Sequence, residues 1–540
     1  MTPTTRAAIT VDAGSATTAV ALVAEVGTRW RLLGALAAPA GADERQLVER
    51  LLVEVASADP ELAESTGIRA GRADDLPRWR VASAPPRTLA VLAGSPRAAA
   101  LAERVACGTG WRIALADPES HDPREVTALL LRRDVAAAFV FAGDPPGADE
   151  RASLGDLAAL VAAVRVRRPD LPIVLAGAMA AHRRRFDRLG LDAEPGASVL
   201  GLPTVRGTDP VAAARMVLED LRAPGGDART ALATATAALA AALGRRVELL
   251  EIGHDGGIRV RAEPAIGDRP ARLEWTATAD GALVPPTPGD DVVERIAGWL
   301  GRDDELGRLA DRIHELRSSP WAGSGVEPAR LRLAAATAAL ERLLARTPAL
   351  SDGPGPDLVV IAGGGFALAP GPAVAVALAD VLRRPGAVAI AMDHARLLGP
   401  LGAVGGTDDR QAIMTGIHDD LLSPLGTLLV LPDPGVGRRL GPAGRVELRG
   451  TDVELDLDVG SGTVELVDLP SGAAAAATVT VSSGGWLGRS ARRIAVPVSG
   501  GLAGLVVDGR GVPLRLPGRR DERDATRASW HDPLWPSGHG

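Results

Sequence analysis

Asp12, Gly14, Ser15, Thr17 and Thr18 fall within "VDAGSATT", between the apolar runs "AITV" and "AVALV". A carboxylate, a glycine and three hydroxyls in so short a turn can clamp a phosphate. Gly14 lets the backbone come close and present successive N–H groups to an anion. Ser15, Thr17 and Thr18 add hydroxyl donors, and Asp12 at a strand end can hold a hydrated Mg²⁺ that screens the phosphate charge. The same residues also suit an ordinary β-hairpin with a polar turn, and this stretch alone favours neither reading. A second candidate, Gly363-Gly364-Gly365, follows "LVVIA" and precedes "GPAVAVALADVL". Such a loop lets a flat adenine lie against backbone without Cβ interference, and it serves a tight strand–helix turn equally well.

Elements to position these loops are legible on both sides. Within residues 8–37, "AITV", "TAVALVAE" and "WRLLGALAA" read as strands, and "RQLVERLLVEVA" carries apolar residues at helical spacing. From Arg80 strands and helices alternate: "VASA", "LAVLAG", "WRIALA", "VAAAFVFAG" and "PIVLAGA" are separated by stretches such as "PRAAALAERVA". That alternation predicts a parallel sheet covered by helices. The strand "RVELLEI" follows, then a helical region over 289–347 broken at "SSPWAGSG", the strand "DLVVIAGGG" and the strand "AVAIAMD". Beyond about residue 420, "RVELRG", "DVELDLDVG" and "TVELVDLP" alternate in period two, which predicts an antiparallel β module.

Composition removes whole classes of chemistry. The 540 residues call for several domains, and 46% hydrophobic with 24% charged residues describes a globular chain. A net charge of -7 gives no reason to expect nucleic acid as a partner. The sequence holds no Lys, Asn or Tyr, and all 60 basic residues are Arg, so a Schiff base, a Walker A lysine and N-glycosylation are excluded. The single Cys107 makes no internal disulfide, and a reducing cytoplasm is the expected compartment. No membrane association is expected: glycines and prolines break the uncharged run over 358–379 into strand, loop and helix. In "GIHDD" (416–420), a helix start with an Asp cap is favoured over metal binding, and His121-Asp122-Pro123 also reads as a helix start. Arg183–Arg185 reads as a solvated helix face, and His394 as a strand-end residue facing ligand or solvent.

In sequence order, the Asp-Gly-Ser/Thr hairpin followed by the triple glycine resembles the actin and heat-shock ATPase superfamily. Three segments are more closely similar to the MutL family of glutamate mutase accessory proteins, also called GlmL and unrelated to the mismatch-repair protein. They are "VDAGSATTAVALVAEVGTRWRLLG", "AGGGFALAP" continuing to "AIAMDHARLLGPLGAV", and "VSGGLAGLVVDGRGVPLRLP" with Trp530. Weaker similarity over 88–190 includes "FAGD" and "PIVLAGAMA". The resemblance implies an α/β, actin-like (ribonuclease H-like) two-lobed nucleotide-binding fold with an inserted parallel α/β segment and a C-terminal antiparallel β module. The expected boundaries are 1–245 for the first lobe, including the inserted segment at about 80–205, then 246–415 and 416–540.

What the resemblance implies about function is an accessory protein that binds ATP with Mg²⁺ and reactivates an adenosylcobalamin-dependent mutase, whose subunits would be its partners. Asp12, Gly14, Ser15, Thr17 and Thr18 would form the first phosphate loop, with Asp12 the metal anchor, and Gly363, Gly364 and Gly365 the adenosine loop. The family's second phosphate loop, similar to D-V-G-G-A-T-T-D, corresponds here to "EIGHDGGIRV". Glu251 takes the Asp position and Gly253 survives, but the paired threonines are missing. Glu251 can still orient a water as a base, while His254 and Asp255 read as solvated turn residues. Ala178 also stands where the family tends to have Asn. At most a weak ATPase is expected. The alternatives are a small-molecule kinase of the same superfamily, with Glu251 as its base, and a nucleotide-independent assembly scaffold.

Overall fold

The computed structural model of the chain describes residues 6–69, 71, 73–83, 85–116, 121–143, 148–182, 199–201, 210–222, 227–300, 306–321, 323, 325–347, 354–432, 442–450, 453–481 and 492–536. They belong to two compact units, one formed by Met1–Ser83, Asp227–Trp275 and Gly281–Gly540, the other by Ala84–Gly226 with Thr276–Asp280. The first unit opens with β1 (Ala7–Ala13), β2 (Thr17–Val26), β3 (Arg29–Pro39) and β4 (Arg78–Ala82), in the order β3-β2-β1-β4. β1 runs antiparallel to β2 and parallel to β4. Ile9, Val11, Val20 and Leu22 share a core with Leu47, Val48, Leu51 and Leu52, one face of the helix Glu44–Ala58. Asp43 starts that helix by accepting the N–H groups of Arg45 and Gln46.

The second unit holds β5 (Thr88–Ala93), β6 (Arg112–Ala116), β7 (Val135–Ala142), β8 (Ile173–Gly177) and β9 (Val199–Gly201). They form a parallel sheet in the order β6-β5-β7-β8-β9. β5 is buried along its whole length, as the near-continuous apolar run requires of a strand covered on both faces. Asp122 and Glu125 form a capping box at the start of the helix Pro123–Leu131, so the helix start expected at His121-Asp122-Pro123 is present. The run Arg183–Arg185 lies outside the described residues.

The rest of the first unit supplies β10 (Val247–Ile252), β11 (Gly257–Glu263), β12 (Arg272–Thr278), β13 (Leu358–Ala362), β14 (Gly386–Met392) and β15 (Ser423–Val430). After them come β16 (Pro442–Gly450), β17 (Glu454–Gly460), β18 (Val464–Val467), β19 (Ala474–Val481), β20 (Arg493–Ser499) and β21 (Gly504–Asp508). An eight-stranded sheet runs β12-β11-β10-β13-β14-β15-β21-β18, taking in β18 from the period-two stretch "TVELVDLP", and the other period-two strands belong to a separate antiparallel sheet, β17-β16-β19-β20. β10 pairs antiparallel with β11 and parallel with β13, repeating the arrangement of β1 with β2 and β4. This is a mixed α/β fold of the actin-like plan, with a strand, its hairpin partner and a parallel neighbour occurring twice.

One expectation about the helices is overturned. "GIHDD" does not start a helix; it ends the helix Thr407–Leu421. Asp420 is drawn instead to β3, where its carboxylate accepts Arg31 Nε at 2.5 Å and the Leu32 N–H at 3.2 Å. Carboxylates at a helix C-terminus oppose the macrodipole, and Arg31 offsets that cost here.

Beneath the β10–β11 hairpin lies a buried ion pair. Arg259 Nε donates to Glu248 Oε1 at 2.7 Å and its Nη1 to the Thr347 carbonyl at 2.9 Å, while Arg384 stands 3.3 Å from the other Glu248 oxygen. Both pair members are essentially inaccessible. Removing one partner of a buried pair is costly because the other charge stays in low dielectric. Glu248→Leu is therefore expected to lower the unfolding free energy in urea by about 3 kcal/mol or more. An unchanged midpoint would show that the pair does not hold the hairpin.

Candidate functional site

Asp12 stands one residue before the end of β1, opposite Ala19 on β2, and Ala13 pairs with Thr18. The Gly14 N–H donates to the Thr17 carbonyl at 3.0 Å and closes the turn. A Cβ built at Gly14 would lie 2.9 Å from that same oxygen, so the turn needs glycine there. The second hairpin is built alike. Glu251 and Ile252 end β10, and the Gly253 N–H donates to the Gly256 carbonyl at 2.9 Å. Asp12-x-Gly14 and Glu251-x-Gly253 are thus equivalent positions of the two repeats.

Gly363 follows β13 directly, and its φ of +90° turns the backbone onto the end of β10. A Cβ there would collide with the Ile252 carbonyl oxygen and lie 3.2 Å from Glu251 Oε1. Gly365 packs against Ala336 and Leu283. Close packing on the end of β10 accounts for Gly363, and packing against the helix Val326–Arg346 accounts for Gly365. Gly364 is different: a Cβ there would lie 3.1 Å from Arg396 Nη2. The Glu251 carboxylate also sits 2.7 Å from the Cβ position of Gly253, touching both glycine loops.

A fourth segment enters after β14. Asp393 accepts the N–H groups of Leu397 and Leu398 at 2.9 and 3.1 Å, and its own N–H donates to the Ile361 carbonyl at 2.9 Å. Within this turn Arg396 takes a left-handed φ of 55° and donates Nη1 to Thr17 Oγ1 at 2.5 Å. The structure so brings Asp12, Gly14, Ser15, Thr17, Glu251, Gly253, Gly363 and Gly364 to one junction. Thr18 is buried in the β1–β2 ladder and Gly365 faces the core.

Sequence reasoning missed several residues here. Asp255 is no solvated turn residue: it pairs with Arg317 Nη2 at 2.5 Å and is hydrogen-bonded to Ser15. Burial alone would raise its pKa, but the hydrogen bonds from Arg317 and Ser15 hold it below the usual carboxylate range. Arg317 also donates to the His254 carbonyl at 2.6 Å, and burial together with Arg317 lowers the His254 pKa. His394 is exposed, whereas Arg396 two residues on is half-buried. Nothing in "MDHARLLG" marks Arg396, because its approach depends on the turn that Asp393 closes.

The junction crowds carboxylates. Burial raises the Asp12 pKa, against the pull of Arg396. Burial pushes Glu251 up to about 7; Arg229 opposes this and the Asp12 charge adds to it. Asp393 is raised to about 6 by burial and by Asp12, with its backbone hydrogen bonds acting the other way. Among the described residues no group of three His, Cys, Asp or Glu side chains could hold a metal ion by itself. A cation at Asp12 would draw its other oxygens from phosphate and water, the mode Mg²⁺ favours, and the carboxylate crowding suits a divalent charge. A cavity of about 820 Å³ beside the tilted pair Trp30–Trp79 is lined by none of these carboxylates. No helix among the described residues is long and apolar enough to cross a membrane.

No protein-family model and no curated protein sequence matches the chain. Among solved structures it is similar to the PilM-PilN type IV pilus biogenesis complex, at 15% identity over 76% of this chain and 96% of that one, with a TM-score of 0.21. It is similar to xylulose kinase from Bifidobacterium adolescentis at 16% identity over 76% and 92%, with a TM-score of 0.25. It is also similar to a reductive activator for corrinoid, iron-sulfur protein at 13% identity over 77% and 63%, with a TM-score of 0.22.

Glu251 carries a pH signature. Its folded pKa of about 7 exceeds the ordinary 4.5, so the folded chain keeps a proton that the unfolded chain releases. Stability from this group is complete below the unfolded value and is lost as pH rises through the folded one, and Asp393 acts in the same direction. The thermal midpoint should therefore fall between about pH 5 and about pH 8, and Glu251→Gln should flatten that fall. Equal slopes for variant and wild type would refute the assignment.

Proposed function

We propose that this chain is a nucleotide-binding accessory protein of the MutL (GlmL) kind, which reactivates or assembles an adenosylcobalamin-dependent mutase and takes the mutase subunits as partners. The observation that carries the reading is the meeting of both hairpin turns and the triple-glycine loop around Asp12 and Glu251. In that place a strand-end carboxylate able to hold Mg²⁺ meets glycine loops whose missing Cβ atoms let a ligand approach the backbone, which suits a Mg-nucleotide. The sequence resemblance of the three segments supplies the mutase as partner. ATP, seated against both hairpins, would favour one arrangement of the two repeats over another and so alter the surface offered to the mutase.

Hydrolysis is slow in this reading. The second hairpin offers no hydroxyl pair to the γ-phosphate, and Asp255, kept ionised by Arg317 and Ser15, adds a negative charge beside the first loop. The pKa of Glu251, about 7, favours a second reading, that of a small-molecule kinase. A carboxylate poised near neutrality is suited to take the proton of an acceptor hydroxyl during phosphoryl transfer.

Asp12→Ala should abolish the calorimetric heat of Mg-ATP and the ATP-dependent recovery of an inactivated adenosylcobalamin mutase. The variant should keep its thermal midpoint, since a half-buried carboxylate among like charges contributes little stability. Recovery equal to wild type would point to a nucleotide-independent scaffold. ADP formation that rises on adding polyols, without any mutase, would favour the kinase. Gly364→Val acts by another route, filling the space before the loop, and should weaken ADP and ATP alike by about tenfold or more.

A further inference from the structure

We infer that Arg396 is the phosphate-binding cation of this junction, giving its guanidinium to a phosphate oxygen of the bound polyphosphate. The inference rests on the nucleotide-binding reading for the identity of the ligand, but its geometry is independent of that reading. The chain has no lysine, and neither hairpin turn carries an arginine. An anion seated there needs a positive charge from elsewhere. Arg396 is placed to supply it, with Nη1 against Thr17 of the first loop and Nη2 3.1 Å from the Cβ position of Gly364. Nη1 is also 3.9 Å from the Cβ position of Gly14, so the guanidinium stands beside two glycines that leave its flanks open.

Its donors are largely uncommitted. A guanidinium offers five N–H donors in a planar fork, and among the described residues Arg396 uses one, to Thr17. It acts through space on Asp12, Glu251 and Asp393 without an ion pair to any of them. Its stem is fixed in advance, because Asp393 holds the N–H groups of Leu397 and Leu398 and closes the turn in which Arg396 sits. Downstream, the helix Leu398–Gly402 is locked by Gly402, where any Cβ would collide with the Ala231 carbonyl. A half-buried, pre-positioned fork with spare donors is the device that recognises phosphate oxygens. It also offsets the grip lost with the missing threonines of the second hairpin.

The competing role is structural, with Arg396 serving only as counter-charge to the carboxylates. Calorimetric titration of wild type, Arg396→Gln and Arg396→Lys with inorganic tripolyphosphate and with Mg-ATP separates the two. Wild type should bind both, and Arg396→Gln should bind each at least about tenfold more weakly. Arg396→Lys keeps the charge and hence the folded chain, but loses the fork, and should be weaker by about threefold or more. Tripolyphosphate binding that is equal in wild type and Arg396→Lys, or absent from wild type, would overturn the inference. Arg396-dependent binding of tripolyphosphate with no binding of Mg-ATP would uphold the inference and refute the nucleotide reading.

Discussion

Like charges in a poorly hydrated space repel, and the junction holds Asp12, Glu251 and Asp393 within reach of one another's fields. Much of the first unit serves to keep them there. Two strand ends deliver Asp12 and Glu251 at matching positions, and the backbone of Gly363 packs on the end of β10 beside the Glu251 carboxylate. The repulsion is moderated from outside the hairpins: Arg229 comes from the helix Ala228–Leu243 and Arg396 from the turn after β14. A chain that spends stability to assemble carboxylates in this way gains a site whose charge answers to what binds it.

The two repeats are alike in backbone and unlike in chemistry. Both hairpins close with a glycine N–H donating three residues ahead, yet one turn carries hydroxyls and the other carries His254 and Asp255. Ser15 meets Asp255, so the turns touch through side chains, and Arg317 fastens the second turn to the helix Leu306–Ser318. The second turn therefore holds side-chain contacts where the first carries hydroxyls, and both hairpins close in the same way.

The parts of this arrangement legible in the sequence were those governed by local rules. Period-two and near-continuous apolar runs located the strands, and Asp122-Pro123 located a helix start, because burial pattern and capping act over a few residues. The first hairpin was legible because its glycine and hydroxyls are adjacent in the chain. Long-range placement was not. Asp420 looked like a cap until β3 supplied Arg31, and Asp255 looked solvated until Arg317 arrived from 62 residues away. Arg396 gave no signal, since its partner Thr17 lies 379 residues earlier. The period-two stretches after residue 420 were read correctly as β, but period alone did not reveal that β18 extends the eight-stranded sheet while β16 and β17 pair in a sheet of their own.

The raised pKa values of Glu251 and Asp393 couple this junction to the proton concentration of its surroundings. At neutral pH the pair is only partly ionised. An anion arriving alone raises the proton affinity of both carboxylates and draws protons out of the buffer. A divalent cation arriving with the anion does the reverse and expels them. The direction of proton exchange on binding, read from the ionisation heat of different buffers, therefore reports whether the ligand enters with its metal or without it.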